Sequence, residues 1–209
     1  TPKKPDGSTY PPGTVVEIPG KGDKPITVTI GEDGKGKVPN SELPDGKVTK
    51  PGKITEPGKP SVEVPEVTTP AKVTPTVELE QDPKTGDVTV TPKKPDGSTY
   101  PPGTVVEIPG KGDKPITVTI GEDGKGKVPN SELPDGKVTK PGKIIEPGKQ
   151  AVEVPEVTTP AKVTPTVDLE QDPKTGDVTV TPKRPDGTPY PPGTTVEIPG
   201  ENGPITVEI

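Results

Sequence analysis

The chain contains no cysteine, methionine, tryptophan, phenylalanine or histidine. Without cysteine it has neither a disulfide nor a thiolate nucleophile, and without histidine it has no imidazole base. A zinc site built from cysteine and histidine is excluded for the same reason. Small extracellular domains are usually stapled by disulfides. The absence of cysteine removes this usual staple.

Apolar and aromatic residues are also scarce. Hydrophobic residues make up 23% of the chain and aromatic residues 1%, all of them tyrosine. The core is therefore thin and built from Val, Ile and Leu, which suits a small β-sandwich better than a large globule. No apolar run approaches the ~18 residues of a membrane span. No signal peptide is recognised either.

The charge balance is mildly acidic, with a net charge of −6 at pH 7. Repulsion at this level does not force a chain of this length open. No basic patch stands clear of neighbouring Asp and Glu residues. We therefore expect no nucleic-acid partner.

Proline and glycine are abundant, at 36 and 26 of 209 residues, and the sequence repeats with a period of 90 residues. The four differences between residues 1–90 and 91–180 are Thr55/Ile145, Pro60/Gln150, Ser61/Ala151 and Glu78/Asp168. Repetition at this length indicates one folded unit copied in tandem. A second copy adds nothing to an active site, whereas it adds reach to a spacer and avidity to a binding surface. Because the chain begins and ends inside a repeat, we expect it to be an excerpt of a longer protein.

The pattern within each repeat is typical of β-structure. Residues 76–90 predict a hairpin whose arms alternate apolar and polar side chains around a Pro- and Gly-containing turn. Further short strands, each bounded by turn residues, are predicted at 104–108, 116–120, 126–128 and 133–138. No segment has a helical period, and proline interrupts every long window. The predicted fold class is all-β, with tandem small Ig-like sandwiches arranged as an elongated rod.

Residues 139–163 are rich in proline, which recurs every few residues. Such a chain favours extended or polyproline-II geometry, so this segment is expected to be a semi-rigid spacer between sandwiches. The alternative is that residues 152–154 add an edge strand to a neighbouring sheet. Pro155 is compatible with an edge strand but not with a central one.

These patterns divide the chain into three predicted units. The first, 1–72, lacks its N-terminal hairpin and has a sandwich part at 1–49 and a Pro-rich segment at 50–72. The second, 73–162, is complete, with a sandwich at 73–139 and a Pro-rich segment at 140–162. The third, 163–209, is truncated.

The acidic turns are the first candidates for a binding site. The carboxylates concerned are Asp82, Asp87, Asp96, Glu122 and Asp123. Calcium needs six to eight oxygens at one point, and no turn offers more than two carboxylates. Asp-Gly and Asp-Pro are ordinary turn formers. We therefore expect no metal and no cofactor, while calcium at these turns stays open as the less favoured alternative.

Other candidates carry little chemistry. Glu78 and Glu80 point to the same side of a strand, which indicates a solvated sheet face rather than a glycosidase pair. An isopeptide bond at Asn40 or Asn130 would need a lysine and an acid in an aromatic-lined core; Asn130 is expected instead to begin a turn. The tyrosines, Tyr10, Tyr100 and Tyr190, occur once per repeat and are expected in the core or at a corner, with a ligand platform as the alternative. No catalytic, cofactor-binding or metal-binding residue is predicted, and the chain is not expected to be an enzyme.

Four motifs carry a resemblance to a known family. They are Gly-Asp-Val-Thr-Val-Thr-Pro at 86–92, Pro-Gly-Thr-Val-Val-Glu-Ile at 102–108, Ile-Thr-Val-Thr-Ile-Gly-Glu-Asp-Gly at 116–124 and Glu-Leu-Pro-Asp-Gly at 132–136. The chain resembles the tandem Ig-like repeats of Gram-positive, cell-wall-anchored surface adhesins of the biofilm-associated and Rib types. The long Pro-rich segment departs from that pattern.

The resemblance implies a stalk at the bacterial cell surface that projects a distal binding region from the cell wall. It implies an extracellular location and a host or matrix ligand bound elsewhere in the full protein. The alternative is a homophilic or host-binding module that promotes biofilm, in which repeats associate with one another through exposed edges and repeated surfaces.

Overall fold

The computed structural model describes all residues from 1 to 209, and it is all-β. Its only helical segments are two 3-10 turns, Asn40–Glu42 and Asn130–Glu132. The chain divides into two compact units, Thr1–Val73 and Thr74–Ile209. The absence of longer helices follows from the proline content, since proline removes a backbone donor and breaks a helix interior.

The unit Thr1–Val73 contains one four-stranded antiparallel sheet. Its strands are β1 (Val15–Ile18), β2 (Ile26–Thr29), β3 (Val48–Thr55) and β4 (Val62–Thr69). They lie in the order β2-β1-β3-β4. The alternation of Ile and Val with Thr in β2 places one face of this sheet inward and the other in solvent.

The unit Thr74–Ile209 begins with a two-sheet sandwich. Its strands are β5 (Thr76–Gln81), β6 (Val88–Lys93), β7 (Val105–Ile108), β8 (Ile116–Thr119), β9 (Gly126–Val128), β10 (Val138–Ile145) and β11 (Val152–Thr159). One sheet has the order β5-β6-β9 and the other the order β11-β10-β7-β8. The sheets approach each other where β5 meets β11 and where β8 meets β9. Seven antiparallel strands in two layers form an Ig-like sandwich.

The core of this sandwich lies between the inward faces of the two sheets. Val88 and Val90 of β6 are fully buried, and so are Val106 and Ile108 of β7. Further contributors to the same cluster are Tyr100, Ile116, Val118, Ile120, Val128, Leu133, Ile144, Val154 and Val157. Nearly all are aliphatic, so the core is thin and holds the sheets by apolar burial alone.

The rest of the unit consists of two strand pairs. β12 (Thr166–Gln171) and β13 (Val178–Lys183) form a hairpin, and β14 (Thr195–Ile198) pairs with β15 (Ile205–Glu208). β12 and β13 correspond in sequence to β5 and β6. The predicted all-β class of tandem Ig-like sandwiches is thus confirmed, as is the hairpin at 76–90.

The prediction of Pro-rich spacers was wrong. The predicted sandwich parts end at 49 and 139, with spacers after them. In the structure, residues 50–72 contribute instead to two long strands, β3 and β4, and residues 140–162 contribute to β10 and β11. The alternative of an added edge strand is confirmed for β11, which lies at the edge of its sheet with Pro155 inside it.

The positions of the prolines explain why these strands form. The register between β10 and β11 shifts between Lys140 and Gly142, so Pro141 and Pro155 lie where the ladder is interrupted. Proline without a backbone N–H is tolerated at such a bulge. Gly142 follows because a Cβ there would come within 2.7 Å of the Glu107 carbonyl oxygen on β7. Composition alone indicated an extended chain but not its pairing partner.

Candidate functional site

The acidic turns are built by their own carboxylates. Asp82 Oδ1 accepts hydrogen bonds from the backbone N–H groups of Lys84, at 2.7 Å, and Thr85, at 3.2 Å. These bonds favour the charged form and lower the pKa of Asp82. Asp96 behaves in the same way: Ser98 donates to it through its hydroxyl and its N–H, and these bonds lower its pKa.

Two of the remaining acidic side chains of these turns also accept backbone hydrogen bonds, whereas Glu122 is exposed and accepts none. Asp123 Oδ1 accepts from the N–H of Lys125 at 3.1 Å, and Asp87 Oδ1 accepts from the N–H of Asn130 at 2.9 Å. Nowhere in the chain do three acidic side chains converge on one point. The sequence-based view of these residues as turn formers agrees with this geometry.

The carboxylates of Glu78 and Glu80 lie on the solvent face of β5, where both residues are exposed. Val77 and Leu79 alternate with them and pack against the core. The expectation of a solvated sheet face at Glu78 and Glu80 is confirmed. Both carboxylates thus face open water rather than an enclosed cleft.

The tyrosine of the complete repeat lies in a polar cluster at the edge of the core. Tyr100 is 7% exposed, in agreement with the expected core position. Lys94 Nζ lies 5.3 Å from the centre of its ring, which is within the range of a cation–π contact. Glu146 bridges two lysines, at 3.1 Å from Lys94 Nζ and 2.7 Å from Lys149 Nζ. We call these four residues the tyrosine cluster.

The electrostatics of the tyrosine cluster point away from acid–base catalysis. Hydrogen bonds from Lys149 and Lys94 lower the pKa of the Glu146 carboxyl. Burial raises the pKa of the Tyr100 hydroxyl. Both shifts move away from neutrality, whereas a general acid or base needs a pKa close to the working pH. The cluster therefore joins the 93–100 loop to the end of β10 rather than activating a proton.

A shallow surface depression of about 460 Å³ lies beside the tyrosine cluster. Its lining includes Lys94, Tyr100, Pro101, Glu122, Asp123 and Glu146. Charges of both signs are mixed along this wall. An equivalent depression of about 460 Å³ surrounds Tyr10 in the unit Thr1–Val73.

The tyrosine cluster is repeated, and sequence reasoning missed it. Lys4 lies 5.4 Å from the Tyr10 ring centre, and Arg184 lies 5.1 Å from that of Tyr190. A cation stands six residues before the tyrosine in every copy. That spacing was the available signal. The acidic partner, Glu146, lies 52 residues from Lys94 and left no local trace.

Asn130 begins a 3-10 turn, as expected from the sequence. Its side chain has a second role that was not expected. Asn130 Nδ2 donates to the Val163 carbonyl at 2.7 Å, and the Val163 N–H donates to Asn130 Oδ1 at 3.0 Å. Asn40 makes the same pair of bonds with Val73, at 2.8 and 2.9 Å. The amide thus imitates a strand neighbour instead of forming an isopeptide link.

Comparison with known proteins identifies the repeat. The family described as Bacterial Ig-like domain matches residues 1–72, 70–162 and 160–208. The chain belongs to this family. Neither the curated proteins nor the solved structures gave a match. The resemblance to tandem bacterial Ig-like repeats is confirmed at this level.

Membership in the bacterial Ig-like family carries general expectations. Domains of this family are generally structural and non-enzymatic, and they are typical of extracellular or surface proteins. They are compatible with protein–protein interactions and with a stalk or adhesion role. No helix in the structure has the length and apolar character needed to cross a bilayer.

Proposed function

We propose that these bacterial Ig-like repeats form a stalk segment of a Gram-positive surface adhesin, which holds a distal binding region away from the cell wall. The observation that carries the proposal is the succession of three bacterial Ig-like matches along one chain, two of them over nearly identical sequence. Each additional copy of a folded unit lengthens a spacer, while it leaves the chemistry of any one unit unchanged.

The site geometry supports a mechanical role rather than catalysis. The turn carboxylates are bonded to backbone N–H groups, and the carboxylate of the tyrosine cluster is bonded to lysines. On this proposal the chain is not an enzyme, has no cofactor and binds no nucleic acid. The host or matrix ligand binds elsewhere in the full protein.

Small-angle X-ray scattering on chains extended by whole 90-residue repeats tests the stalk. We expect the maximum dimension to rise by a constant increment with each added repeat. A chain with a flexible Gly/Ser segment inserted after Pro165 is the control, and its dimension should rise less steeply because such linkers behave as random coils. A compact particle whose dimension barely changes with copy number would overturn the proposal.

Homophilic adhesion is the competing function, and one edge strand of the complete sandwich argues against its simplest form. The edge strand β11 carries Pro155 in its interior and exposed Glu153 and Glu156 beside it. Proline and charge on an edge oppose the addition of a further strand. Sedimentation velocity over a wide range of protein concentration, with and without Ca²⁺, separates the two functions. A stalk stays monomeric in both, whereas concentration-dependent association would favour adhesion between repeats.

A further inference from the structure

The segment that leaves the complete sandwich is bonded to it at successive residues. Beyond β11, Ala161 O accepts from Gln81 Nε2 at 3.0 Å, and the Lys162 N–H donates to Pro134 O at 2.7 Å. The backbone of Val163 then exchanges two hydrogen bonds with the Asn130 amide. Residues 160–163 therefore remain part of the sandwich although they lie outside its strands. We call them the exit segment.

Asn130 is itself held in place by the turn between β5 and β6. Its N–H donates to Asp87 Oδ1 at 2.9 Å, and Gln81 Nε2 also donates to Gly86 O at 3.1 Å. A Cβ on Gly86 would come within 2.5 Å of both Asn130 Cγ and Val163 Cγ2, so only glycine leaves room for the contact. We call Gln81, Gly86, Asp87 and Asn130 the exit clamp.

The exit clamp leaves little free chain before the next repeat. Val163 is the last bonded residue and β12 begins at Thr166, so Thr164 and Pro165 alone lie between them. Proline fixes its own φ, and it restricts the preceding residue to extended conformations. Neither of these two residues has ordinary backbone freedom.

We propose that the exit clamp is a joint-stiffening device: it shortens the hinge between consecutive bacterial Ig-like repeats to Thr164 and Pro165. The inference rests on the proposed stalk function and names the residues that would give such a stalk its stiffness. Asn130 is a positioning residue that acts on the direction of the backbone at Val163.

The same pair of amide-to-backbone bonds recurs in the unit Thr1–Val73, where fewer contacts hold the asparagine in place. Asn40 bonds Val73 through the same two atoms, and the Lys72 N–H donates to Pro44 O at 2.7 Å. Asn40 is exposed, whereas Asn130 is partly buried beneath the β5–β6 turn. Two occurrences of the same amide-to-backbone pair indicate that it is a property of the repeat.

A pair of spin labels on either side of the joint provides the test. The chain has no cysteine, so Lys127→Cys on β9 and Thr179→Cys on β13, both exposed, are the only labelling sites. The width of the distance distribution, measured by pulsed electron spin resonance, reports the freedom of the joint. For the chain with an intact exit clamp we expect one narrow distribution.

Removing the exit clamp should widen that distribution. In the double variant Gln81→Ala/Asn130→Ala the bond from the Lys162 N–H to Pro134 O remains. The joint therefore grows from two residues to three, and square-root scaling of linker reach predicts a width about 1.2-fold greater. Asn130→Ala alone should give a smaller increase. Asn130→Asp, which keeps the acceptor for the Val163 N–H but loses the donor, should fall between Asn130→Ala and the original chain.

A matched glycine pair separates the contact from backbone strain. Gly86 and Gly176 have φ values of 81° and 82°, but only at Gly86 would a Cβ meet the asparagine of the exit clamp and Val163. We expect Gly86→Ala to widen the distribution and Gly176→Ala to leave it unchanged. Circular dichroism confirms that the sandwich stays folded in each variant.

Three results would overturn the inference: an equally narrow distribution in Gln81→Ala/Asn130→Ala, a broad distribution in the original chain, or equal effects of Gly86→Ala and Gly176→Ala. The stalk proposal is decided separately by how molecular dimension grows with copy number. A clamp that has no effect, in a chain whose length still grows linearly, would refute the device and leave the stalk standing.

Discussion

Residues 1–73 and 91–163 have almost the same sequence, with three differences, but bury their shared sheet to different extents. Both form a four-stranded sheet with equivalent registers, in which Val16 pairs with Ile54 and Val106 pairs with Ile144. Val106 is fully buried, whereas Val16 is only partly buried. Identical local sequence therefore does not determine burial.

Residues 91–163 are preceded by the β5–β6 hairpin, which packs on their sheet, and the sequence given holds no residues equivalent to this hairpin before Thr1. Val88 and Val90 of this hairpin are fully buried against the sheet. β6 also pairs with β9, so residues 126–128 form a strand, while residues 36–38 do not. The comparison teaches that the hairpin both covers the core and provides the template for a third strand.

The β12–β13 hairpin supplies the reverse case. It has nearly the same sequence and pairing as β5–β6, but Leu169 is 54% exposed and Val178 is 47% exposed. Of the four-stranded sheet that covers β5–β6, this copy has only the pair β14–β15 within residues 163–209, and Leu169 and Val178 remain exposed. Hairpin and sheet are thus two halves of one core, and each acquires its burial from the other.

The largest expected effect comes from placing a charge where the two halves meet. Val88→Asp buries an unpaired carboxylate and should destabilise the sandwich by about 4 kcal/mol or more. Val178→Asp makes the same change at the equivalent, exposed position and should cost about 0.5 kcal/mol or less. Urea denaturation, followed by the fluorescence of Tyr100 in a Tyr10→Phe/Tyr190→Phe background, measures the difference. Equal effects of the two substitutions would contradict the two-halves interpretation.

A smaller change in the free energy of unfolding is expected at two equivalent buried threonines, and the direction of the change differs between them. Thr159 Oγ1 donates to Pro109 O at 2.7 Å, whereas the equivalent Thr69 Oγ1 is buried without a hydrogen-bond partner. Thr159→Val leaves a buried carbonyl unpaired and should lower the free energy of unfolding by about 1–3 kcal/mol. Thr69→Val removes an unpaired hydroxyl and should be neutral or stabilising by up to about 1 kcal/mol.

Single-tyrosine backgrounds allow the two threonine variants to be followed separately. Tyr100 reports on Thr159→Val, and Tyr10 reports on Thr69→Val. If both variants shift the urea midpoint in the same direction by the same amount, the expected difference between the two threonines is contradicted.

The smallest effect is expected at Glu146 and depends on pH. Its pKa is lower in the folded chain than in the unfolded chain, because Lys149 and Lys94 bond the charged form. The unfolded chain therefore binds more protons in acid. The contribution of Glu146 is present above its unfolded pKa and is lost as pH falls through its folded pKa.

Glu146→Gln should therefore lower Tm slightly at neutral pH and leave it unchanged in acid, where the original carboxyl is already protonated. Glu80→Gln, on the exposed face of β5 and outside the tyrosine cluster, is the control for the substitution itself. Thermal unfolding followed by circular dichroism across the acid range measures both. A constant Tm difference at every pH would show that the ion pairs are not its source.

Sequence reasoning predicted what is local. Alternating Val and Thr predicted β8, and the Asp82 turn predicted the β5–β6 hairpin, because both depend on neighbours within a few residues. The pairing of β10 with β11 could not be found in the same way, because the bulge at Pro141 is defined by the partner strand. Composition correctly indicated an extended chain but wrongly placed it outside the sandwich.

The candidate sites show the same difference between partners that are close in the sequence and partners that are far apart. A turn at Asp96 was predicted because Asp96 precedes Gly97, and the partner that the structure shows, Ser98, lies only two residues away. The Asn130–Val163 bonds span 33 residues and involve a backbone group, which any residue type can provide. A backbone partner cannot be recognised from residue type, so the exit clamp could not be predicted from the sequence.

The meeting of β5 with β11 has a consequence for tension along the chain. The chain enters the sandwich through β5 and leaves it after β11, and these are outer strands of the two sheets. A pulling force between neighbouring repeats therefore acts first on the contact between β5 and β11. It reaches the inner pair, β7 and β10, only after that contact has separated. Unfolding under force should therefore begin at the outer strands, and the aliphatic core should separate last.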